Sequence, residues 1–372
     1  MDVFWFFFSK KNSTPFLKKG AKNFYPLASE AWSGSIRGSE QGNGSLRICV
    51  FGAGAIGGYL AGFLAHAGHD VSVVVRGAHL KAIQEGGLKV EVEGKVIHTH
   101  PKASADPATL GVQDAVLVTV KAPSLPSVAA SISPLLGPDT PVVFINNGIP
   151  WWYFMAHGGP MDGRRLPVMD PGDALWNTVG PARTVGGIFW PASQVPEPGY
   201  IRMVAGAGRG TTIGAPDGVV TPGVEAIKAA FDSAGLPFTI ADNIRDLIWE
   251  KLAFNLSAGP MCVLTTTPVK DTHTEPVLVE TSRRLMAEAN ALIDAMGRNG
   301  RIDPERAVGI NTSLGHRPSI LQDLLAGRPM EIDALYGVPL DLAKSLGVAM
   351  PTLETLVALI KVRARAAGLY GG

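Results

Sequence analysis

Only two of the 372 residues are cysteines, Cys49 and Cys262, and they are far apart in the chain. That argues against a disulfide framework and supplies no zinc-ligand spacing, so no metal site is expected and a reducing cytoplasm is the default compartment. An excess of one charge is also missing: 33 basic against 32 acidic residues leave a formal net charge of +1. Nothing electrostatic therefore favours nucleic acid or an anionic membrane surface as a partner. No apolar run reaches the length of a transmembrane helix. The N-terminal run from Val3 to Phe8 is short for a signal-peptide core, and Asp2 stands where positive charge is expected. What remains, with 46% hydrophobic and 17% charged residues, is the composition of a soluble globular protein long enough for two domains.

The chain divides by pattern. Residues 1–45 are rich in Ser, Gly, Lys and Asn without a period and are expected to form a disordered tail. From Leu46 the runs "LRICVF", "DVSVVV", "AVLVTV" and "PVVFI" read as buried strands, with helical stretches such as "AIGGYLAGFLAHAG" between them. Apolar strands alternating with helices imply a doubly wound α/β domain whose parallel sheet is covered on both faces. That domain is expected over residues 46–240. "LKVEVEGKVIHTH" looks like a hairpin within it, and a Gly-, Pro- and Arg-rich insertion covers about 151–185. Residues 241–372 read as all-helical. The first of these helices is predicted from an Asp242 cap to about Leu256, stopped by Gly259-Pro260. A cleft is expected between the two parts.

"GAGAIG", from Gly52 through Ala53, Gly54, Ala55 and Ile56 to Gly57, fits G-x-G-x-x-G between a strand and a helix. Gly52 would make the tight turn, Gly54 would admit a pyrophosphate, and Gly57 would let helix and strand pack closely. The helix N-terminus adds unpaired N–H groups and the positive end of a dipole. An NAD-binding domain places Asp or Glu at the end of the second strand, to hold the ribose 2′-OH. Here Arg76 occupies that region, and a guanidinium fork suits a 2′-phosphate. The expected cofactor is NADP(H); the plainer alternative is a solvated arginine at a strand end.

"IWEKLAFNLSAGP" raises a different question. At about 100° per residue, Ile244, Leu247, Ile248 and Leu252 form one apolar arc, and Lys251 and Asn255 fall inside it. Either the lysine extends its head past an apolar surface, or the arc lines a cleft. Lys121 in "TVKAP", and Asn146 and Asn147 in "INNGIP", sit at strand ends, where open α/β sheets bind ligands. Each has an ordinary alternative in a solvated lysine or turn chemistry. Ser319 could simply cap a helix, and Glu331 could simply favour a helix dipole.

Together "FGAGAIGG", "VTVKA", "NNGIP", "IWEKLAFN" and "SILQDLLAGRPMEID" resemble the ketopantoate reductase (2-dehydropantoate 2-reductase) family, from about Arg47 to about Lys361. The resemblance implies NADPH-dependent reduction of a 2-oxo acid on the way to pantothenate. It implies Lys251 as general acid and Glu331 as the carboxylate positioning substrate and lysine. Asn255 and Ser319 would hydrogen-bond the substrate; Asn147 and Lys121 would line the nicotinamide and substrate pocket; Arg76 would meet the 2′-phosphate. The logic is coherent: hydride arriving at a ketone carbon leaves alkoxide charge, which a cationic proton donor stabilises and then quenches. Three features depart from the family pattern. Gly259 stands where a second asparagine is common, Ile320 where Met is usual, and "PWWYF" with its following insertion is not general. These departures are expected to surround the substrate. Two enzyme alternatives remain: a reductase of another 2-oxo acid, and a hydroxy-acid dehydrogenase of the 6-phosphogluconate dehydrogenase superfamily. A non-catalytic NADP(H)-sensing protein is a third reading, though it would not need Lys251 with Glu331. The expected partner is the small 2-oxo acid, with neither nucleic acid nor membrane; a homodimer is left open.

Overall fold

The structure is a computed structural model and describes residues 44–206 and 210–371. The expectation of a disordered tail over residues 1–45 thus lies outside the described residues, except at Gly44 and Ser45.

The strands are β1 (Arg47–Phe51), β2 (Asp70–Val74), β3 (Leu88–Val92), β4 (Lys95–Thr99), β5 (Lys102–Ser104), β6 (Ala115–Val118), β7 (Val142–Ile145), β8 (Thr184–Phe189), β9 (Ala192–Glu197), β10 (Tyr200–Ala205), β11 (Thr211–Gly214) and β12 (Phe238–Ile240). The main sheet runs β12-β11-β8-β7-β6-β1-β2-β5. Its pairings are parallel except that between β8 and β11. From β1 the chain moves outward to β2 and β5, then returns to β6 on β1's other side. The C-terminal ends of β1 and β6 therefore flank a topological switch point, where such sheets open a ligand crevice.

Helices α1 (Ala55–His66), α2 (Gly77–Gly86), α3 (Leu125–Ala129), α4 (Ala174–Thr178) and α5 (Pro222–Ser233) accompany this sheet. A second sheet, β4-β3-β10-β9, lies against α1. The "LKVEVEGKVIHTH" hairpin forms as β3 and β4, but it belongs to this second sheet. Close approach explains two glycines of α1: a Cβ on Gly58 would come 2.7 Å from Ile201, and one on Gly62 would run into Val90.

The C-terminal domain is helical: α6 (Ile244–Thr265), α7 (Val269–Thr272), α8 (Pro276–Ala295), α9 (Pro304–Ser313), α10 (Ser319–Leu325), α11 (Val338–Leu346) and α12 (Pro351–Ala366). A π turn over Asp333–Gly337 leads into α11. Two features of α6 correct the reading from sequence. The helix does not stop at Gly259-Pro260 but continues to Thr265, and its cap is Asn243, whose side chain accepts from Arg245 N. Nor does it have one apolar face: no residue from Ile244 to Leu264 is exposed, and Trp249 and Ala253 are fully buried. Packing of α8, α10 and α12 around it outweighs the single backbone donor that Pro260 lacks.

"PWWYF" is core rather than pocket wall, which corrects the expectation that it surrounds the substrate. Trp151, Trp152, Tyr153 and Phe154 are all buried. Trp152 lies over Gly186 of β8, where a Cβ would collide with its ring. Trp249 Nε1 donates to Tyr153 Oη at 2.7 Å, and the buried Arg245 guanidinium donates to the carbonyls of Tyr153, Met155 and Pro216.

Candidate active site

The glycine loop follows β1 at the switch point. Gly52 has φ +103°, and an added Cβ would meet Val120 at 2.6 Å. A Cβ on Gly57 would run into the Gly52 carbonyl. Gly54, by contrast, has nothing within 4 Å of its would-be Cβ. It precedes α1 without any side-chain cap, so no side chain satisfies the first N–H groups of that helix. The buried Ala53 carbonyl accepts from His79 Nε2 at 2.7 Å, while His79 Nδ1 accepts from Gly199 N at 2.8 Å. Ser193 of β9 donates to Ala55 O at 2.9 Å. Ala55 and Ile56 are half-buried, and Arg76 is exposed two residues beyond β2. Among the described residues the Arg76 side chain has no hydrogen-bond or ion-pair partner. An open cradle at a helix N-terminus and a nearby guanidinium fit a phosphorylated dinucleotide.

Lys251, Asn147 and Glu331 come together although 184 residues separate the last two. Lys251 Nζ donates to Phe189 O at the end of β8 (2.8 Å) and to Asn147 Oδ1 just past β7 (3.1 Å). Asn147 Nδ2 donates in turn to Glu331 Oε2 at 3.4 Å. Glu331 is 3% exposed and also accepts from Ala122 N at 3.1 Å. Burial pushes its carboxyl above the usual carboxylate range. The Ala122 N–H, the Lys121 charge and the Asn147 amide oppose that shift, and the Asp323 charge adds to it. Backbone packing locks the same junction: Gly148 has φ +82°, a Cβ there would strike Ala334 O, and Ile149 N donates to that carbonyl.

Other expected residues fall differently. Asn255 sits one turn beyond Lys251 and is half-buried; Ser319 is exposed and is the first residue of α10, not its cap. Neither side chain has a hydrogen-bond partner among the described residues. Asn146 turns away to donate to Val120 O. Lys121 pairs with Asp323 of α10, a carboxylate 1% exposed that also accepts from Arg328. Asp323 lies inside the motif "LQD", yet sequence reasoning passed over it. An acidic residue in a short helix usually faces water, and only the fold reveals its burial.

The family profile of ketopantoate reductase PanE/ApbA matches residues 48–218, and its C-terminal counterpart matches 243–364. This chain belongs to the ketopantoate reductase family. The 2-dehydropantoate 2-reductase of Mesorhizobium japonicum is 40% identical over 327 residues, covering 87% of this chain and all of that one. A Ralstonia solanacearum chain proposed to be a ketopantoate reductase is 37% identical at a TM-score of 0.82, covering 88% of this chain and 100% of its own. The fold alone is shared with D-mandelate dehydrogenase, solved with NADH and anilino(oxo)acetate, at 19% identity and a TM-score of 0.72, over 87% and 100% of the two chains. Like its relatives, this family member is an oxidoreductase with a Rossmann-like N-terminal domain and a helical C-terminal one. No described helix is long and apolar enough to cross a membrane.

Proposed function

We propose that this protein reduces ketopantoate to pantoate with NADPH, in the cytoplasm, on the route to pantothenate. The observation that carries the reading is the chain Lys251–Asn147–Glu331, gathered at the C-terminal ends of β7 and β8, on the same sheet edge as the glycine loop. The backbone of Gly52–Gly57 would hold the pyrophosphate and Arg76 the 2′-phosphate. When bound, the reduced nicotinamide supplies a hydride to the C2 carbonyl carbon of the acid.

The residues of this chain do the rest. Phe189 O and Asn147 Oδ1 hold the Lys251 ammonium in place. Lys251 stabilises the negative charge growing on the carbonyl oxygen, then gives up one N–H proton to make the hydroxyl. Solvent later returns that proton to the amine. Glu331 fixes the Asn147 amide, and so acts on Lys251 through it. Asn255 and Ser319, with no hydrogen-bond partners among the described residues, are available to hydrogen-bond the substrate. Lys121, held by Asp323, offers a second cation to its carboxylate.

The test is NADPH oxidation by purified protein across a panel of 2-oxo acids that includes ketopantoate, repeated with NADH. Turnover of ketopantoate with a clear NADPH preference supports the reading. Turnover of another 2-oxo acid but not ketopantoate would overturn the substrate, and equal efficiency with both cofactors would overturn the role of Arg76.

A further inference from the structure

Two helices end in the same way, and the chain leaving one meets the chain leaving the other beside Glu331. After α10, Gly327 N donates to Leu324 O and Arg328 N to Asp323 O; after α12, Gly368 N donates to Arg365 O and Leu369 N to Ala364 O. The two glycines have φ +62° and +70°. Both ends are Schellman motifs, which turn the chain at a glycine in the left-handed region. The first turn leads to Met330, Glu331 and Ile332, all buried. The second brings Leu369 and Tyr370 to the same stretch. Met330 N donates to Leu369 O at 3.3 Å, and Tyr370 Oη donates to Asp333 Oδ1 at 2.7 Å. Glu331 therefore has a contact from this segment on either side of it. Tyr370 is half-buried; burial, with the Asp333 carboxylate beside it, pushes its hydroxyl up to about 12, so it donates at neutral pH. Lys361 Nζ and Arg365 Cζ of α12 stand 5.6 Å and 5.5 Å from the centre of its ring and help to seat it. Lys361 Nζ is also 4.0 Å from Asp333 Oδ1, but that pair is partly exposed and contributes little.

We propose that Tyr370 is a positioning residue: with Leu369 it forms a latch that holds the main chain on both sides of Glu331, and so keeps that carboxylate where Asn147 meets it. The π turn begins only at Asp333, so helical bonds do not fix Glu331 from its N-terminal side; Leu369 O supplies that hold at Met330. On the other side the turn is tied to the Asn147 loop through Ala334 O and Ile149 N. The arrangement is sensitive to small shifts. Asn147 Nδ2 meets Glu331 Oε2 at 3.4 Å, already long for a hydrogen bond, so a slight movement of the main chain breaks the contact. The effect then reaches Lys251 through Asn147. The inference rests on the reading of Lys251, Asn147 and Glu331 given above and adds a residue outside that set.

The experiment measures kcat with ketopantoate, the NADPH dissociation constant and thermal melting in the full chain. Tyr370→Phe keeps the ring and removes only the bond to Asp333. Its kcat should fall roughly three- to tenfold, in line with one lost hydrogen bond, while NADPH affinity is nearly unchanged. Asp333→Ala should match it, and Asp333→Asn, whose Oδ1 still accepts from the phenol, should keep most of the parent's turnover. In the Glu331→Gln background Tyr370→Phe should cost almost nothing more, because the charged grip on Asn147 is already gone; independent effects would multiply. An unchanged kcat in folded Tyr370→Phe overturns the inference and leaves the 2-oxo acid reading intact. So does full multiplication of the two effects, a loss of NADPH affinity as large as the loss of kcat, or failure of Tyr370→Phe to fold, since each marks a tyrosine that supports the fold as a whole. Equal losses in Asp333→Asn and Asp333→Ala assign the hold to Lys361 and overturn it too. A parent that reduces no 2-oxo acid sinks the reading above, and this inference with it.

Discussion

The glycine loop and the proposed substrate wall lie on one sheet edge but are specified in different ways. The loop is six consecutive residues whose shape follows from clashes within a few ångströms: a Cβ on Gly52 or Gly57 has nowhere to go, while one on Gly54 meets nothing. The proposed wall draws on Asn147, the Phe189 carbonyl, Lys251 of α6 and Glu331 near the π turn. A change at Gly57 meets the loop's own Gly52 carbonyl, and one at Gly52 meets Val120 just past β6. A change in the wall must be answered by a distant segment, because Lys251, Asn147 and Glu331 hold one another from three separate parts of the chain.

The sharpest way to separate the two regions is to remove the proposed acid. Lys251→Ala should lower turnover by about 10²–10⁴-fold while the NADPH dissociation constant, set by the loop and Arg76, stays within a few-fold. Stopped-flow or steady-state rates and a fluorescence titration read the two quantities. Turnover within a few-fold of the parent would make Lys251 a packing residue only.

The complementary change is Arg76→Ala, which strikes the cofactor side alone. Losing a charge-assisted hydrogen bond costs roughly 1.5–3 kcal/mol, or about 10- to 150-fold in NADPH affinity. NADH affinity should be nearly unchanged, because its ribose lacks the phosphate. Equal weakening of both cofactors would point to loop damage instead.

The contrast also explains what could be read from sequence. The glycine loop and the strand-end arginine were legible because their geometry is contiguous. Lys251 and Asn255 were noticed because a polar pair in an apolar arc is locally anomalous. The arc itself misled: no residue of α6 from Ile244 to Leu264 is exposed, so its period does not separate a core face from a solvent face. Pro260 looked like a stop because helix propensity is local, while the packing that overrides it comes from three other helices. Asp323, Tyr370 and His79 gave no signal, since each belongs to a residue type that is ordinary in its local setting. Only long-range contact makes each of them unusual.

Within the wall, Glu331→Gln tests the buried carboxyl. Because burial raises the folded-state pKa of Glu331, the ionised form costs stability once pH exceeds the usual carboxylate range. The parent should therefore gain relative stability as pH falls through the raised pKa. The glutamine variant should melt higher than the parent near pH 8, and that advantage should shrink as pH falls into the carboxylate range. Its turnover should drop on the order of tenfold, since the amide that holds Lys251 loses a charged acceptor. A melting difference that is independent of pH would mean that folding leaves the Glu331 carboxyl unshifted.

The smallest expected effect lies back at the cofactor loop and blurs the comparison slightly, because one long-range contact reaches even there. His79 Nδ1 accepts from Gly199 N–H, so in the neutral ring the proton is on Nε2, which donates to Ala53 O. Burial lowers its pKa, although the hydrogen bond to Ala53 opposes that shift. A histidine with a depressed folded-state pKa stabilises the fold above its ordinary value near 6.5 and loses that contribution as pH falls through the folded pKa. Protonation would turn Nδ1–H towards Gly199 N–H and loosen the loop's tie to β10. The His79→Ala variant should bind NADPH roughly three- to tenfold more weakly at pH 8, in line with the loss of a neutral hydrogen bond. The parent should move towards that value on acidification, while the variant's affinity should be flatter with pH. Parallel pH profiles would show that the acid sensitivity of cofactor binding arises elsewhere, and that the loop is held by its glycines alone.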